Sequence, residues 1–194
     1  MNRSIILLLV FIWSCNSTKI PESTTLDNIQ IARDQWGVPH IIAPTDAEVA
    51  YGFGWAQCED DFVTMQEQML VVRGHLGEVR GKAGIVGDFG VKFMGLREIV
   101  EEKYESDLSQ NFRTYLESYV DGINSYAALH PEEILLKKLF PLQPQDIVMG
   151  YLLGTVELSQ ARQHLERILD ERIVNDKNAN FPKGSNAIAV SSAK

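Results

Sequence analysis

The chain has 194 residues, of which 45% are hydrophobic, 23% are charged and only 7 are proline. A chain of this length and composition can bury about two-thirds of its surface in a core, which excludes an intrinsically disordered protein. The formal net charge is −8 and there is no run of lysine and arginine, so binding to nucleic acid or to an anionic membrane surface is not expected. A neutral or amphiphilic small molecule suits this charge better.

The first fifteen residues are typical of an export signal. Asn2-Arg3 supplies a short cationic start, and the apolar residues 4–13 are too few to span a bilayer, which needs about 20 residues. The segment ends at Cys15 and resembles a bacterial lipobox, in which the cysteine is lipidated and becomes the first mature residue. Trp13 is bulky for that motif, so cleavage by an ordinary signal peptidase is the alternative. We expect an exported protein, periplasmic or in the outer membrane, that meets the membrane only through this lipid anchor.

A polar stretch, residues 16–25, predicts a flexible tether between the anchor and the folded domain. If a lipid occupies Cys15, Cys58 is left alone and no disulfide forms within the chain. The alternative is a disulfide between these two cysteines in an oxidising compartment, which would fasten the tether to the first helix.

The predicted domain, residues 26–174, opens with two short extended segments. Residues 29–34 and 39–43 are separated by a turn at Gly37, and together they predict a β-hairpin. Thr45 follows, with a glutamate three residues later, and this capping box predicts the start of a helix.

Apolar residues that recur at alternating steps of three and four predict a helical body. The first helix is expected to continue to Val79, followed by a glycine-rich break over residues 81–90 and a second helix over residues 91–104. A third helix is expected to begin at a Ser109 cap and to stop at Pro131.

The last predicted helix runs from Ile147 to about Val174, and a polar linker with the cleavage segment follows over residues 175–184. Residues 185–194 then form an apolar, strand-like end. A lone strand exposes its backbone donors and acceptors, so this one must belong to a larger sheet. The predicted fold class is a mostly α fragment with a short amino-terminal hairpin and a carboxy-terminal strand.

Five motifs resemble, in order, those of the penicillin acylase family of amino-terminal nucleophile hydrolases, including its acyl-homoserine lactone and aculeacin acylase branch. They are Arg33-Asp34-Gln35-Trp36-Gly37-Val38-Pro39-His40-Ile41, Tyr51-Gly52-Phe53-Gly54-Trp55-Ala56-Gln57-Cys58-Glu59-Asp60-Asp61, Val72-Arg73-Gly74-His75-Leu76-Gly77-Glu78, Tyr119-Val120-Asp121-Gly122-Ile123-Asn124 and Gly184-Ser185-Asn186-Ala187. Their succession is specific and covers most of the chain after Thr25. The resemblance implies a light subunit followed by the first ten residues of a heavy subunit, and an αββα fold in the full-length protein.

By this resemblance Ser185 is the catalytic nucleophile, released when the precursor cuts itself between Gly184 and Ser185. The chemistry supports the assignment, because a free α-amine has a pKa of about 7.7 to 8.0 and can accept the proton of the hydroxyl on the same residue. In the uncleaved chain that nitrogen is an amide and cannot act as a base. The alternative for Ser185 is ordinary turn chemistry at the start of a strand.

The resemblance also implies the substrate, a linear amide of an acylated small molecule that is hydrolysed through an acyl-enzyme without a cofactor. The oxyanion donors would come from the heavy subunit of the same precursor, so the given chain alone is expected to be inactive. Val156 and Gln160 stand where the family's acyl pocket is lined, although core packing is an equally good explanation for Val156.

Glu166 falls near the family's light-subunit calcium ligand, so the resemblance implies a structural calcium ion in the full-length protein as one interpretation of this residue. A solvated carboxylate is the better explanation, because calcium takes about six to eight oxygen ligands.

Other polar residues are expected to be structural. Glu59-Asp60-Asp61 is interpreted as a solvated or ion-paired helix face. A structural hydrogen-bond network is expected for Arg33, Asp34 and His40. The four histidines, which are His40, His75, His130 and His164, show no metal-ligand spacing.

Two other functions remain open from the sequence. One is a lipid-anchored, non-catalytic helical binding module whose final strand adds to the sheet edge of a partner. The other is a different amino-terminal nucleophile hydrolase, of the cephalosporin or bile-salt acylase type, with another pocket.

Overall fold

The computed structural model describes residues 23–26 and 28–159. The regular elements in this part are β1 (Ser23–Leu26), β2 (Ile29–Arg33), β3 (Pro39–Ile42), α1 (Asp46–Arg73), α2 (Leu76–Arg80), α3 (Lys82–Met94), α4 (Leu96–Asp107), α5 (Gln110–Leu129), two short 3-10 turns (Pro131–Glu133 and Lys137–Leu139) and α6 (Pro144–Leu158). In the described ranges, no helix combines the length and the apolar character needed to cross a membrane. The chain divides into two units, residues 1–153 and 154–194, and of the second unit only Gly154–Ser159 is described.

The three strands form an antiparallel sheet in the order β1-β2-β3. The predicted hairpin is confirmed as β2 and β3, joined by a turn in which Gly37 has a φ of 83°. The Asp34 carboxylate closes the turn by accepting hydrogen bonds from the backbone N–H groups of Trp36 (2.8 Å) and Val38 (3.0 Å).

Strand β1 corrects the predicted tether, because Ser23–Leu26 overlaps the end of the segment expected to be flexible to residue 25. β1 pairs along β2, with Thr24 opposite Ile31. Threonine is β-branched and favours extended backbone. Without β1, the edge of β2 would expose unpaired backbone N–H and C=O groups, and β1 pairs with them.

Helix α1 begins where the capping box predicts. The Thr45 hydroxyl accepts a hydrogen bond from the backbone N–H of Glu48 (3.2 Å) and donates one to the Glu48 carboxylate (2.7 Å). The helix is interrupted at Asp61, whose backbone is extended (φ −159°, ψ 76°). The Asp61 carboxylate accepts a hydrogen bond from the Thr64 backbone N–H (3.0 Å), so it caps the second half of the helix.

Helices α1 and α5 pack against each other at backbone contact, because glycines face the partner helix. A Cβ atom on Gly54 would lie 2.2 Å from the Tyr119 carbonyl oxygen, and one on Gly122 would lie 2.1 Å from the Tyr51 carbonyl oxygen. The buried side chains around this contact include Trp55, Phe62, Leu70, Val120, Ile123 and Tyr126. This pair forms the centre of the core in residues 1–153.

The prediction for residues 73–104 is wrong in its boundaries. α1 ends at Arg73 with Gly74 in the left-handed conformation (φ 65°), not at Val79. Helix α3 covers the predicted glycine-rich break, and the break between α3 and α4 falls instead at Gly95 (φ 62°).

Tertiary contacts explain why a glycine-rich segment is helical here. Gly84 of α3 lies so close to α2 that a Cβ atom would meet the backbone of Leu76 and Gly77 at 2.5 Å. The Asp88 carboxylate of α3 accepts hydrogen bonds from the backbone N–H groups of these same two residues, both at 2.8 Å. Packing against α2 therefore overrides the low helix propensity of glycine.

Helix α5 is confirmed as predicted, with Ser109 accepting a hydrogen bond from the Phe112 backbone N–H (3.3 Å) and Pro131 just beyond its end. Helix α6 begins at Pro144, three residues before the predicted Ile147. Its predicted end near Val174, the linker and the final strand lie outside the described residues. The described part is thus mostly helical with an amino-terminal sheet, as the predicted fold class requires.

Candidate functional site

Most of the predicted site residues lie outside the described part of the chain. These are Cys15, Gln160, Glu166, Gly184 and Ser185. Cys58 is described, and it is a free thiol that is 1% exposed. Burial is the main reason why the pKa of Cys58 is raised to about 12, with smaller contributions from the Glu133 and Glu59 charges. A thiol of this kind is inert at neutral pH.

Val156 is the described member of the predicted acyl pocket. It lies near the end of α6 and is half-buried. Ser159 makes two hydrogen bonds to the last turn of α6. Its hydroxyl donates to the Val156 carbonyl oxygen (2.7 Å), and its backbone N–H donates to the Thr155 carbonyl oxygen (2.9 Å). Its role as a pocket residue stays a prediction.

A buried carboxylate with two partly exposed arginines fixes the first turn of α6. The Asp146 side chain is fully buried, and its Oδ2 accepts hydrogen bonds from Arg73 Nη2 (2.5 Å) and Nε (3.1 Å). Arg97 Nη2 reaches the other carboxylate oxygen at 3.2 Å. Charges from the end of α1 and the start of α4 therefore meet on one carboxylate at the start of α6.

The protonation of Asp146 follows from this environment. Burial alone would raise its pKa, but hydrogen bonds from Arg73 and the Gln143 backbone, together with the Arg73 charge, outweigh it, so the pKa lies below the ordinary value of 3.8. Asp146 is therefore an anion at neutral pH and a structural partner for the two guanidinium groups. It is not a general acid.

The segment between α5 and α6 is held by further half-buried polar side chains that sequence analysis missed. Arg73 also donates to the carbonyl oxygens of Leu139 (2.6 Å) and Pro141 (3.0 Å). The Asn124 side-chain amide accepts from the Leu142 N–H (2.8 Å) and donates to its carbonyl oxygen (3.0 Å). Arg73 and Asn124 both belong to the family motifs quoted above, and this membership is the sequence signal that could have identified them.

In the acidic run Glu59-Asp60-Asp61, the predicted ion-paired helix face is confirmed for Glu59 and Asp60, whereas Asp61 interrupts α1 and caps its second half. Arg33 binds Glu59 (Nη2 to Oε2, 3.1 Å) and Asp60 (Nη1 to Oδ1, 2.6 Å). Trp55 Nε1 donates to the other Glu59 oxygen at 2.9 Å. These contacts fasten strand β2 to helix α1, and the network expected around Arg33 and Asp34 is structural as predicted.

An open cleft of about 300 Å³ lies beside the Asp61 interruption of α1. It is lined by Gln57, Asp60, Asp61, Thr64, Met65, Gln68, Met69, Tyr119, Ile123 and Ile147. Its floor is apolar and its rim carries carboxylates and amides, and the Tyr119 hydroxyl donates a hydrogen bond to the Gln57 amide oxygen. Burial is the main reason why the Tyr119 pKa is raised, so this hydroxyl stays protonated. The lining residues include no serine, cysteine or lysine, so the cleft supplies no nucleophile of the predicted type.

Comparison with known proteins identifies the family of this chain. The family model described as penicillin amidase matches residues 28–194. Among curated proteins, penicillin G acylase of Escherichia coli is 26% identical over 133 residues, which cover 67% of this chain and 15% of that protein. The acyl-homoserine lactone acylase PvdQ of Pseudomonas fluorescens is 24% identical over 155 residues, covering 73% of this chain and 19% of that protein.

Penicillin acylase 2 proenzyme of Pseudomonas sp. strain SE83 is 26% identical over 100 residues, covering 52% of this chain and 13% of that protein. The chain therefore spans less than a fifth of the length of these bacterial relatives.

A solved structure has the same fold. The thermostable penicillin G acylase from Alcaligenes faecalis matches with a TM-score of 0.55 and 22% identity, over 86% of this chain and 100% of the solved chain. The family model thus confirms the resemblance drawn from the five motifs. The chain belongs to the penicillin amidase family.

Proposed function

We propose that this chain is the amino-terminal part of an amidohydrolase precursor that cleaves itself between Gly184 and Ser185. The mature enzyme would hydrolyse the linear amide of an acylated small molecule, such as a penicillin, an N-acyl-homoserine lactone or a lipopeptide. The observation that carries the proposal is the family match, which extends through residues 184 and 185 to residue 194. The relatives named as penicillin acylases and acyl-homoserine lactone acylases support this reaction class.

The proposed chemistry requires cleavage before catalysis. Once the peptide bond before Ser185 is broken, its α-amine takes the proton from its own hydroxyl, and the hydroxyl oxygen attacks the amide carbonyl of the substrate. The α-ammonium group gives this proton to the leaving amine, and an acyl-enzyme ester remains on Ser185. Water then hydrolyses the ester, which releases the acid and restores the hydroxyl. The tetrahedral intermediates need oxyanion donors, whose loss typically costs about 100- to 1,000-fold in rate. We place these donors in the heavy subunit, so residues 1–194 alone would have no activity.

The described part of the chain is consistent with the proposal, because its helices and amino-terminal sheet belong to the region that the family model matches. In our proposal Val156 and Gln160 select the acyl group, and any calcium bound near Glu166 is structural.

The test is to express the complete reading frame from the source organism and to measure the intact masses and amino-terminal sequences of the products. We expect two polypeptides, with the heavy one beginning at Ser185. A Ser185→Ala variant should give one unbroken polypeptide, because no hydroxyl remains to attack the Gly184 carbonyl. Ser191→Ala is the matched control, since it removes a hydroxyl six residues away and should leave cleavage intact. An unbroken but active wild-type polypeptide would overturn the proposal.

The same masses test export and lipidation. A light chain that begins at an acylated Cys15 would support the lipoprotein proposal, and one that begins at another residue with no lipid would contradict it. Activity is followed by amine release from penicillins, N-acyl-homoserine lactones of graded chain length and acylated peptides. Absence of amine release from every acylated substrate in a correctly cleaved enzyme would refute the proposed substrate class.

A further inference from the structure

A histidine and two glutamates converge at the carboxyl end of α5. His130 Nδ1 lies 3.7 Å from Glu132 Oε1 and 3.4 Å from Glu133 Oε1. The three potential ligand atoms lie within 4.8 Å of one another. We propose that His130, Glu132 and Glu133 form a binding site for a divalent transition-metal ion such as Zn²⁺. This proposal does not depend on the proposed hydrolytic chemistry.

The spacing of the ligand atoms fits such an ion. Zinc binds histidine nitrogen at about 2.0–2.1 Å and carboxylate oxygen at about 2.0–2.2 Å, usually in a tetrahedral arrangement. Two ligand atoms on a tetrahedron of that size are about 3.4 Å apart. The distances of 3.4 and 3.7 Å from His130 Nδ1 are close to this value, and the two carboxylate oxygens lie within 4.8 Å of each other.

The surrounding structure holds the ligands in place. The His130 ring stacks on the Tyr126 ring at a centroid distance of 4.1 Å and an angle of 18°. The backbone around it is fixed, because the His130 N–H donates to the Tyr126 carbonyl oxygen (3.0 Å) and the Glu133 N–H donates to the His130 carbonyl oxygen (3.1 Å). The fully buried Gln66 donates to the Glu133 carbonyl oxygen at 3.0 Å and ties the site to the core. This support reduces the entropy lost when an ion orders its ligands.

The other two described histidines that approach carboxylates provide a contrast. His75 Nδ1 lies 2.8 Å from Glu78 Oε1, but Lys138 Nζ already occupies that oxygen at 2.5 Å. His40 Nε2 lies 3.5 Å from the carboxylate of Asp34, whose other oxygen closes the β2–β3 turn. Within the described ranges, His130 is the histidine that faces two carboxylates, and its imidazole nitrogen and the two carboxylate oxygens are all atoms that can ligate a metal ion.

The donor set selects the class of ion. One imidazole nitrogen and two carboxylate oxygens suit Zn²⁺, Cu²⁺ or Ni²⁺, whereas Ca²⁺ and Mg²⁺ prefer oxygen ligands only. Three protein ligands leave at least one position for water. The half-buried imidazole and the two exposed carboxylates make the site accessible, so the bound ion should exchange with solvent.

The experiment is a calorimetric titration of the chain with ZnCl₂, in a Cys15→Ser background so that no additional thiol outside the described residues competes. We expect saturable binding of one ion. His130→Phe keeps an aromatic ring to stack on Tyr126 but removes Nδ1, and it should weaken binding by at least about tenfold, as expected when a metal site loses a contact that organises it. The double variant Glu132→Gln/Glu133→Gln should weaken binding at least as much.

His75→Phe is the matched control, because it removes a histidine that also sits beside a glutamate, and binding should be unchanged. Circular dichroism spectra of all variants establish that the helices are retained, and the glutamine variant provides a second test should His130→Phe fail to fold. In titration with CaCl₂, any saturable binding should be the same in the wild type and in His130→Phe, because the proposed site selects ions that accept a nitrogen ligand. Absence of saturable Zn²⁺ binding, or binding that survives both the His130 and the double glutamate variant, would overturn the proposal.

Discussion

Glycine and phenylalanine occur both in helix pair α1–α5 and in helix α3, but their surroundings differ in the two regions. In the pair, Gly54 and Gly122 lie against the backbone of the partner helix, and Phe62 is buried. On α3, a Cβ atom added to Gly87 or Gly90 would have no neighbour within 4 Å, and Ile85, Val86, Phe89 and Phe93 are exposed.

The contrast teaches that composition does not define the role of a segment in this protein. The pair is fixed by close approach and by buried polar contacts, whereas α3 is held by Gly84 and Asp88 along one side and leaves its apolar side open. The same substitution should therefore change the free energy of unfolding differently in the interior and on α3. Removal of the buried Asp146 charge should change it most.

The largest effect is expected from the buried charge. Asp146→Ala leaves Arg73 and Arg97 without the carboxylate that both contact, and it should lower the free energy of unfolding by about 3–5 kcal/mol. Urea unfolding of the purified chain, followed by circular dichroism, measures the change. Glu101→Ala is the control, because its exposed pair with Arg97 should contribute less than about 1 kcal/mol.

The pH dependence checks the same cluster with the wild-type chain. The pKa of Asp146 in the folded state lies below its ordinary value, so its contribution to stability is present above the unfolded-state pKa of about 3.9 and is lost as the pH falls through the folded-state pKa. The stability difference between the wild type and Asp146→Ala should therefore shrink on acidification below about pH 4. A difference that stays constant would contradict an ionised Asp146.

The next contrast uses the same substitution in both regions. Phe62 is 3% exposed and stacks edge-on against Tyr126, so Phe62→Ala should cost about 3–5 kcal/mol of unfolding free energy. Phe93 is 78% exposed, so Phe93→Ala should change it by less than about 0.5 kcal/mol. Both changes are measured by urea unfolding under identical conditions. Equal losses in the two variants would show that α3 is covered by an apolar surface in solution.

The contrast also explains how far the sequence predicts the structure. Local signals are reliable here, since the Thr45 cap, the Ser109 cap and the turn at Gly37 depend on neighbouring residues only. The α3 prediction is wrong because the helix is stabilised by contacts with Leu76 and Gly77. The low helix propensity of glycine, on which the prediction depended, takes no account of such contacts. The site residues Arg73, Asp146 and Asn124 were missed for the same reason, since their partners are distant in sequence.

The smallest and most discriminating change adds one methyl group to a glycine. In an open helix position, Gly90→Ala should raise the free energy of unfolding by about 0.5–1 kcal/mol, because alanine has the higher helix propensity and the unfolded chain loses conformational freedom. In the pair, Gly122→Ala gains the same propensity but places its Cβ 2.1 Å from the Tyr51 carbonyl oxygen, and the two helices must separate. The net effect should be a loss of about 1–3 kcal/mol. Because the two substitutions are chemically identical, opposite signs in urea unfolding would arise from the helix contact alone, and a gain at both positions would contradict the close approach of α1 and α5.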